Sequence, residues 1–216
     1  MHVFGNVKVQ TGDVLLKHSS GSIGHKLIQA GQKVGGMAGG HSDIAHAAIY
    51  VGSVSGQTHA IAESVGSGLR FADPNPGSPY SWSVWHLGGN QELRYLAADL
   101  ASNLVAKAGV DAGFGAYTKG GAIKSAFVSS NETKNPSSPT LADDMLNDFT
   151  SPNGTCRSFW CSNFVVLAYG MAAQILGLPS TAGINLNYKY TSPAEMYKYF
   201  SRNQAWSLRG IIVNAY

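Results

Sequence analysis

Charge is scarce in this chain. Asp, Glu, Lys and Arg make up 12% of its 216 residues, about half the usual share. The net charge is only +3 and no basic run occurs, so a nucleic-acid partner is not expected. Weak attraction to anionic surfaces such as cell wall or lipid headgroups is still permitted. Cysteine is nearly absent. Cys156 and Cys161 are the only two, too few for a disulfide scaffold and without the spacing of a zinc site. A short-loop disulfide between them, or two buried thiols, are the plain structural readings. No apolar stretch approaches the ~18 residues needed to cross a bilayer. Met1 to Gln10 show no charged segment followed by an apolar one. Export by machinery that reads no such leader, or residence in the cytoplasm, are the localisations compatible with that. There is no internal repeat.

What is present suits one folded unit. Apolar residues make up 44%, and a chain of this length can bury a core without disulfides or metals. A single domain is expected over 1–216. Thr11 to Lys17 read as a turn and a short strand, and Ser22 to Val34 as a helix running into a glycine-rich loop, Gly35 to Gly40. Ala45 to Val51 and Thr58 to Ser64 flank the polar loop GSVSGQ and read as a hairpin. Gly68 to Ala72 and Trp82 to Leu87 are further strands. Leu93 to Lys107 has helical spacing, with Asn90 as cap and Gly109 as terminator. Residues 110–155 are rich in Gly, Ser, Asn, Asp and Pro and read as a loop-rich insertion, a lid over the molecule. Phe159 to Leu176 is the strongest helix. Ser192-Pro193-Ala194-Glu195 is a capping box that opens a helix to about Phe200, and Leu208 to Val213 closes the chain as a strand. The expected class is α+β, an antiparallel sheet with a few helices.

Two features carry chemistry. Cys161 falls at or near the N-terminus of the strongest helix, where unpaired amide N–H groups and a partial positive charge favour a thiolate and could hold an oxyanion. The other reading of that position is a small buried core residue. In the hairpin, pairing Val51 with Thr58 places His46 opposite Glu63. A carboxylate beside an imidazole fixes its tautomer and stabilises its charged form. His59 shares a strand face with Glu63, and a register moved by two residues would bring His59 nearer to His46. Glu63 is therefore the third member of the constellation, with His59 as the alternative. An exposed polar His–Glu pair is the competing reading, because Ala47, Ile49 and Val51 mark the opposite face as the packed one. A metal site from His41, His46 and His59 lacks zinc spacing, and no metal or cofactor is expected.

Read in order, GDVLL (12–16), HAAIYVG (46–52), AESVGSGL (62–69), FWCSNFV (159–165) and TSPAEM (191–196) resemble the permuted NlpC/P60-like hydrolases. These are papain-like proteins whose catalytic histidine precedes the cysteine, an order shared by the lecithin:retinol acyltransferase-like enzymes. The resemblance implies Cys161 as nucleophile, with its own N–H in the oxyanion hole, and His46 as base. It implies a third polar residue on the next strand. In the bacterial members that residue is usually a glutamate spaced like Glu63, whereas the acyltransferase-like members use a second histidine, which matches His59. Asp13 fits a Gly-Asp turn of structural role. The cysteine motif is often followed by Glu or His in the family; here it is followed by Ser162-Asn163.

The activity implied is a thiol hydrolase acting on an amide, first of all in bacterial cell-wall peptide (peptidoglycan). The setting implied is that of a secreted antibacterial toxin of the type VI effector kind, with an immunity protein or secretion apparatus as partner. A thiol phospholipase or acyltransferase acting on lipid esters is the second expectation. A non-catalytic binding module is the third.

Overall fold

The computed structural model describes residues 2–4, 6–18, 43–54, 56–74, 80–110, 114, 116–117, 158–188 and 191–213. The readings of Ser22 to Val34, of Gly35 to Gly40, of His41, of Cys156 and of nearly all of 110–155 lie outside these residues.

The described residues form a mixed α+β structure around one six-stranded antiparallel sheet. Its strands are β3 (Val14–His18), β4 (Ile44–Val54), β5 (Gln57–Val65), β6 (Gly68–Ala72), β7 (Ser81–Leu87) and β10 (Trp206–Val213), in the order β10-β7-β3-β4-β5-β6. A hairpin of β1 (His2–Phe4) and β2 (Val7–Val9) and a parallel pair of β8 (Ala116–Tyr117) and β9 (Ser158–Phe159) complete the strands. The helices are α1 (Gln91–Val110), α2 (Cys161–Ile175) and α3 (Pro193–Arg202). None is long and apolar enough to cross a membrane.

Both faces of the sheet are covered, and this corrects the expectation of one packed face. Leu16, Ala47, Ile49 and Ala62 lie in a core with α1 and α2 residues such as Leu93, Ala97, Phe164 and Ala168. Leu15, Ala48, Tyr50, Ile61 and Val84 lie in a second core with Phe4, Val7 and Val9 of the β1–β2 hairpin. Burial on both faces explains why the β4 sequence reads AHAAIYV, nearly continuously apolar, without a clean alternation.

The helices follow their end signals. Asn90 Oδ1 accepts from Leu93 N–H at 2.9 Å at the start of α1, which runs past Gly109 to Val110. Ser192 and Glu195 close their capping box at the start of α3, with Pro193 as the first helical residue. The strongest helix starts later than its apolar pattern suggests. Ser158 and Phe159 pair as a strand, and Cys161 is the first helical residue of α2.

Candidate active site

The His46–Glu63 pair forms by a different register from the one read in the sequence. Strands β4 and β5 run on to Val54 and Gln57, which face each other across a tight turn. Glu63 is consequently paired with Ala48, not with His46. The two side chains still meet, because diagonal neighbours across an antiparallel pair lie within reach of long side chains. His46 Nε2 donates to Glu63 Oε2 at 2.8 Å. A second irregularity lies beside the histidine. Lys17 pairs with His46 but His18 pairs with Ile44, so Ala45 is an extra residue in β4. Bulges of this kind re-aim the adjoining side chain.

His46 and Glu63 are 9% and 4% exposed, so theirs is a buried pair and not a solvated one. The register moved away from His59. That residue lies across from the Gly52 region, about six positions along β4 from His46, or roughly 20 Å at the usual rise per strand residue. Its Nδ1 faces the Tyr50 hydroxyl at 3.2 Å, and its ring packs on Phe4.

Cys161 is a free thiol, 2% exposed, and its sulfur lies near enough to His46 to raise the imidazole. Several polar contacts hold it there. Ser64, the residue after Glu63, donates through its hydroxyl to the Phe159 carbonyl at 3.1 Å. Ser162 Oγ donates to the Thr191 carbonyl at 2.6 Å, and Asn163 Nδ2 to the Tyr188 carbonyl at 3.3 Å. The Ser162-Asn163 pair thus anchors the start of α2 to the segment that leads into α3. Trp160 is the N-cap residue and supplies no side-chain acceptor, and Phe164 N–H is the amide that bonds to its carbonyl, at 3.0 Å. The amides of Cys161, Ser162 and Asn163 therefore have no acceptor within the helix.

Burial works against charge on both His46 and Glu63, yet both are held charged. His46 is raised to about 10 because the Cys161 sulfur and the Glu63 carboxylate outweigh desolvation. Glu63 is lowered to about 2, its burial outweighed by His46 and Arg70. With Nε2 given to Glu63, Nδ1 is the ring nitrogen left for the thiol. The arrangement is an imidazolium between the Glu63 carboxylate and the Cys161 sulfur.

Arg70 belongs to this site and was not found in the sequence. Its Nε and Nη2 reach Glu63 Oε1 at 2.8 and 2.7 Å. The signal was available: Val65 faces Gly68 across the β5–β6 turn, which sets Glu63 opposite Arg70. Lys17 was also missed. It pairs with His46 on one side and Trp82 on the other, and its ammonium lies 3.6 Å from the centre of the Tyr80 ring. A pocket of about 500 Å³ opens here, with His46, Glu63, Lys17, Arg70, Tyr80 and Trp82 on its wall.

Asp13 lies in a separate buried network. Its Oδ2 accepts from Gln10 N–H at 2.8 Å and its Oδ1 from His86 Nδ1 at 2.7 Å, with Arg94 Nη1 3.7 Å away. The Tyr169 hydroxyl donates to the Gly12 carbonyl. Gly12 has φ +89°, and a Cβ there would lie 2.4 Å from the Arg94 carbonyl oxygen, so the turn admits only glycine. Among the described residues, no group of three His, Cys, Asp or Glu side chains is placed to hold a metal ion. In comparisons with protein-family models, curated proteins and solved structures, the chain matches none of them.

Proposed function

We propose that this chain is a cysteine hydrolase of the permuted NlpC/P60-like kind, with Cys161 as nucleophile, His46 as its proton-transfer partner and Glu63 as the group that orients and charges the imidazole. One observation carries the reading: a single buried imidazole is hydrogen-bonded to a carboxylate and lies under the influence of a free thiol at a helix N-terminus. Neither group would be stable there alone, since an unpaired buried charge is costly. A charged imidazole beside the sulfur is the arrangement that an activated thiol needs.

The charged resting state changes the first step expected from the sequence. His46 already holds the proton when substrate arrives. The Cys161 sulfur attacks the carbonyl carbon, and the N–H of Cys161 with a neighbouring amide of α2 receives the oxyanion. His46 then gives its proton to the leaving atom. In the second half, His46 takes a proton from water, and the hydroxide so formed resolves the thioester.

An amide is the first choice of bond, in bacterial cell-wall peptide. The pocket beside His46 sets Lys17, Glu63, Arg70 and Asp73 among Ile61, Val65, Phe71 and Trp82, and its charged groups give a peptide's polar atoms partners that an acyl chain would not use. The test is mass spectrometry of cell-wall fragments and of lipids, each incubated with the protein and with its Cys161→Ala variant. New peptide fragments from the parent protein alone are expected. Lipid cleavage would replace the substrate class, and no product from either would count against a hydrolase.

A further inference from the structure

We infer that Arg70 is a positioning residue of this site, gripping one oxygen of Glu63 so that the other is left to hold His46; this rests on the cysteine-hydrolase reading and adds a member to it. The strand registers are the first observation. Val65 faces Gly68 across a two-residue turn, which sets Arg70 directly opposite Glu63. His46 lies on the other neighbour of β5 and is not opposite. Glu63 is paired with Ala48, so its side chain leans two residues along β4 to reach the ring. The last torsion of a glutamate is broad and roughly two-fold. A single hydrogen bond to Nε2 would leave the carboxylate plane free to turn and either oxygen free to take the bond.

The division of the two oxygens is the second observation. Arg70 Nε and Nη2 both lie on Oε1, at 2.8 and 2.7 Å, while His46 Nε2 lies on Oε2 at 2.8 Å. Two donors from one rigid guanidinium fix Oε1, and with it the plane of the carboxylate. Oε2 then has one place, and the imidazole bonded to it has one tilt, with Nδ1 turned away from the carboxylate. Lys17 cannot replace this grip. It lies in the field of Glu63, but its ammonium sits over the Tyr80 ring and acts as a point charge without a directional fork. The Arg70 side chain is 55% exposed and that of Glu63 only 5%. An arginine so exposed adds little stability through an ion pair. Its effect is therefore expected on the chemistry of the buried trio more than on the fold.

Arg70→Met is the test, read by iodoacetamide labelling of Cys161 and by the NMR signal of the His46 Nε2–H proton, assigned from the His46→Gln spectrum. Labelling should slow by about tenfold, the low end for a group that orients a functional histidine. The ring N–H signal should broaden or vanish, while the protein still melts cooperatively. In a Glu63→Ala background, Arg70→Met should change labelling by less than about twofold, because Arg70 acts through that carboxylate. Arg70→Lys keeps the charge without the fork and should recover only part of the loss. Equal labelling by the parent and Arg70→Met, full recovery by Arg70→Lys, or the same loss with and without Glu63 would overturn the proposal. The two readings fail differently. A reactive Cys161 that is indifferent to Arg70 removes the positioning role alone. A Cys161 inert in the parent, with a ring signal that still needs Arg70, removes the hydrolase and reduces Arg70 to a structural contact.

Discussion

Two histidine–carboxylate–arginine trios lie among the described residues, and their groups are shifted in opposite directions. At one, His46 is raised to about 10 and Glu63 lowered to about 2. At the other, His86 is lowered and Asp13 raised. Burial is the largest influence on all four groups. What differs is the second neighbour of each imidazole. His46 has the Cys161 sulfur as that neighbour, and it raises the imidazole. His86 has Arg94 Nη1 3.1 Å from its Nδ1, and Arg209 adds to the positive field. The first trio also borders a pocket, while Asp13 is sealed beneath Tyr169, Gln10 and Arg94. A histidine beside a carboxylate is thus not in itself a catalytic unit. The second neighbour of the ring, a sulfur at His46 and a guanidinium at His86, sets the direction in which the imidazole is shifted.

Substitutions should separate the two trios, and the largest effect is expected at the sulfur. Cys161→Ala should lower product formation by about 10⁴-fold or more while the protein still melts cooperatively; loss of the folded protein would assign Cys161 to packing. Next, His46→Gln should slow alkylation of Cys161 by about 100-fold, the low end for a proton-transfer partner, whereas His86→Gln should leave that rate unchanged. Asp13→Ala should do the reverse. It strands His86 and Arg94 in the interior and should cost about 3 kcal/mol of stability, seen in denaturant melts, with the labelling rate of the folded protein unchanged. Equal effects of the His46 and His86 substitutions on labelling would erase the distinction.

Glu63→Gln should have a smaller effect, roughly 10- to 100-fold on turnover, as for other groups that orient a functional histidine. His59→Gln should stay within about twofold. The same residue gives a pH test. Because Glu63 is depressed in the folded protein, it contributes stability above its ordinary value of 4.5, and that contribution is lost as pH falls toward about 2. His46, being raised, contributes fully below 6.5 and loses its contribution as pH rises toward about 10. The difference in melting temperature between parent and Glu63→Gln should therefore shrink on acidification through that lower window. A constant difference from pH 5 to pH 2 would mean that Glu63 is not held charged.

Much of this was legible locally and little of it non-locally. Ser192 and Glu195 announced α3, because a capping box is written within four residues. Cys161 and His46 were found from a helix start and a strand pattern, and Glu63 from counting across one hairpin. The count was two residues off because the polar loop folds into paired strand almost to its tip, which the residue types alone do not show. Arg70 could have been reached by the same counting across the next turn. Lys17 could not, since its neighbours His46 and Trp82 come from strands far away in the chain. The β1–β2 hairpin was missed because three-residue strands carry no readable period, yet it is what covers the second face of the sheet.

The most direct test is the titration of the His46 ring, followed by NMR in the parent protein and in Cys161→Ala. The imidazolium should persist to about pH 10 in the parent, and the midpoint should fall clearly when the sulfur is removed while Glu63 stays. A midpoint near 6.5 in the parent, unmoved by Cys161→Ala, would show that thiol and imidazole do not share a proton.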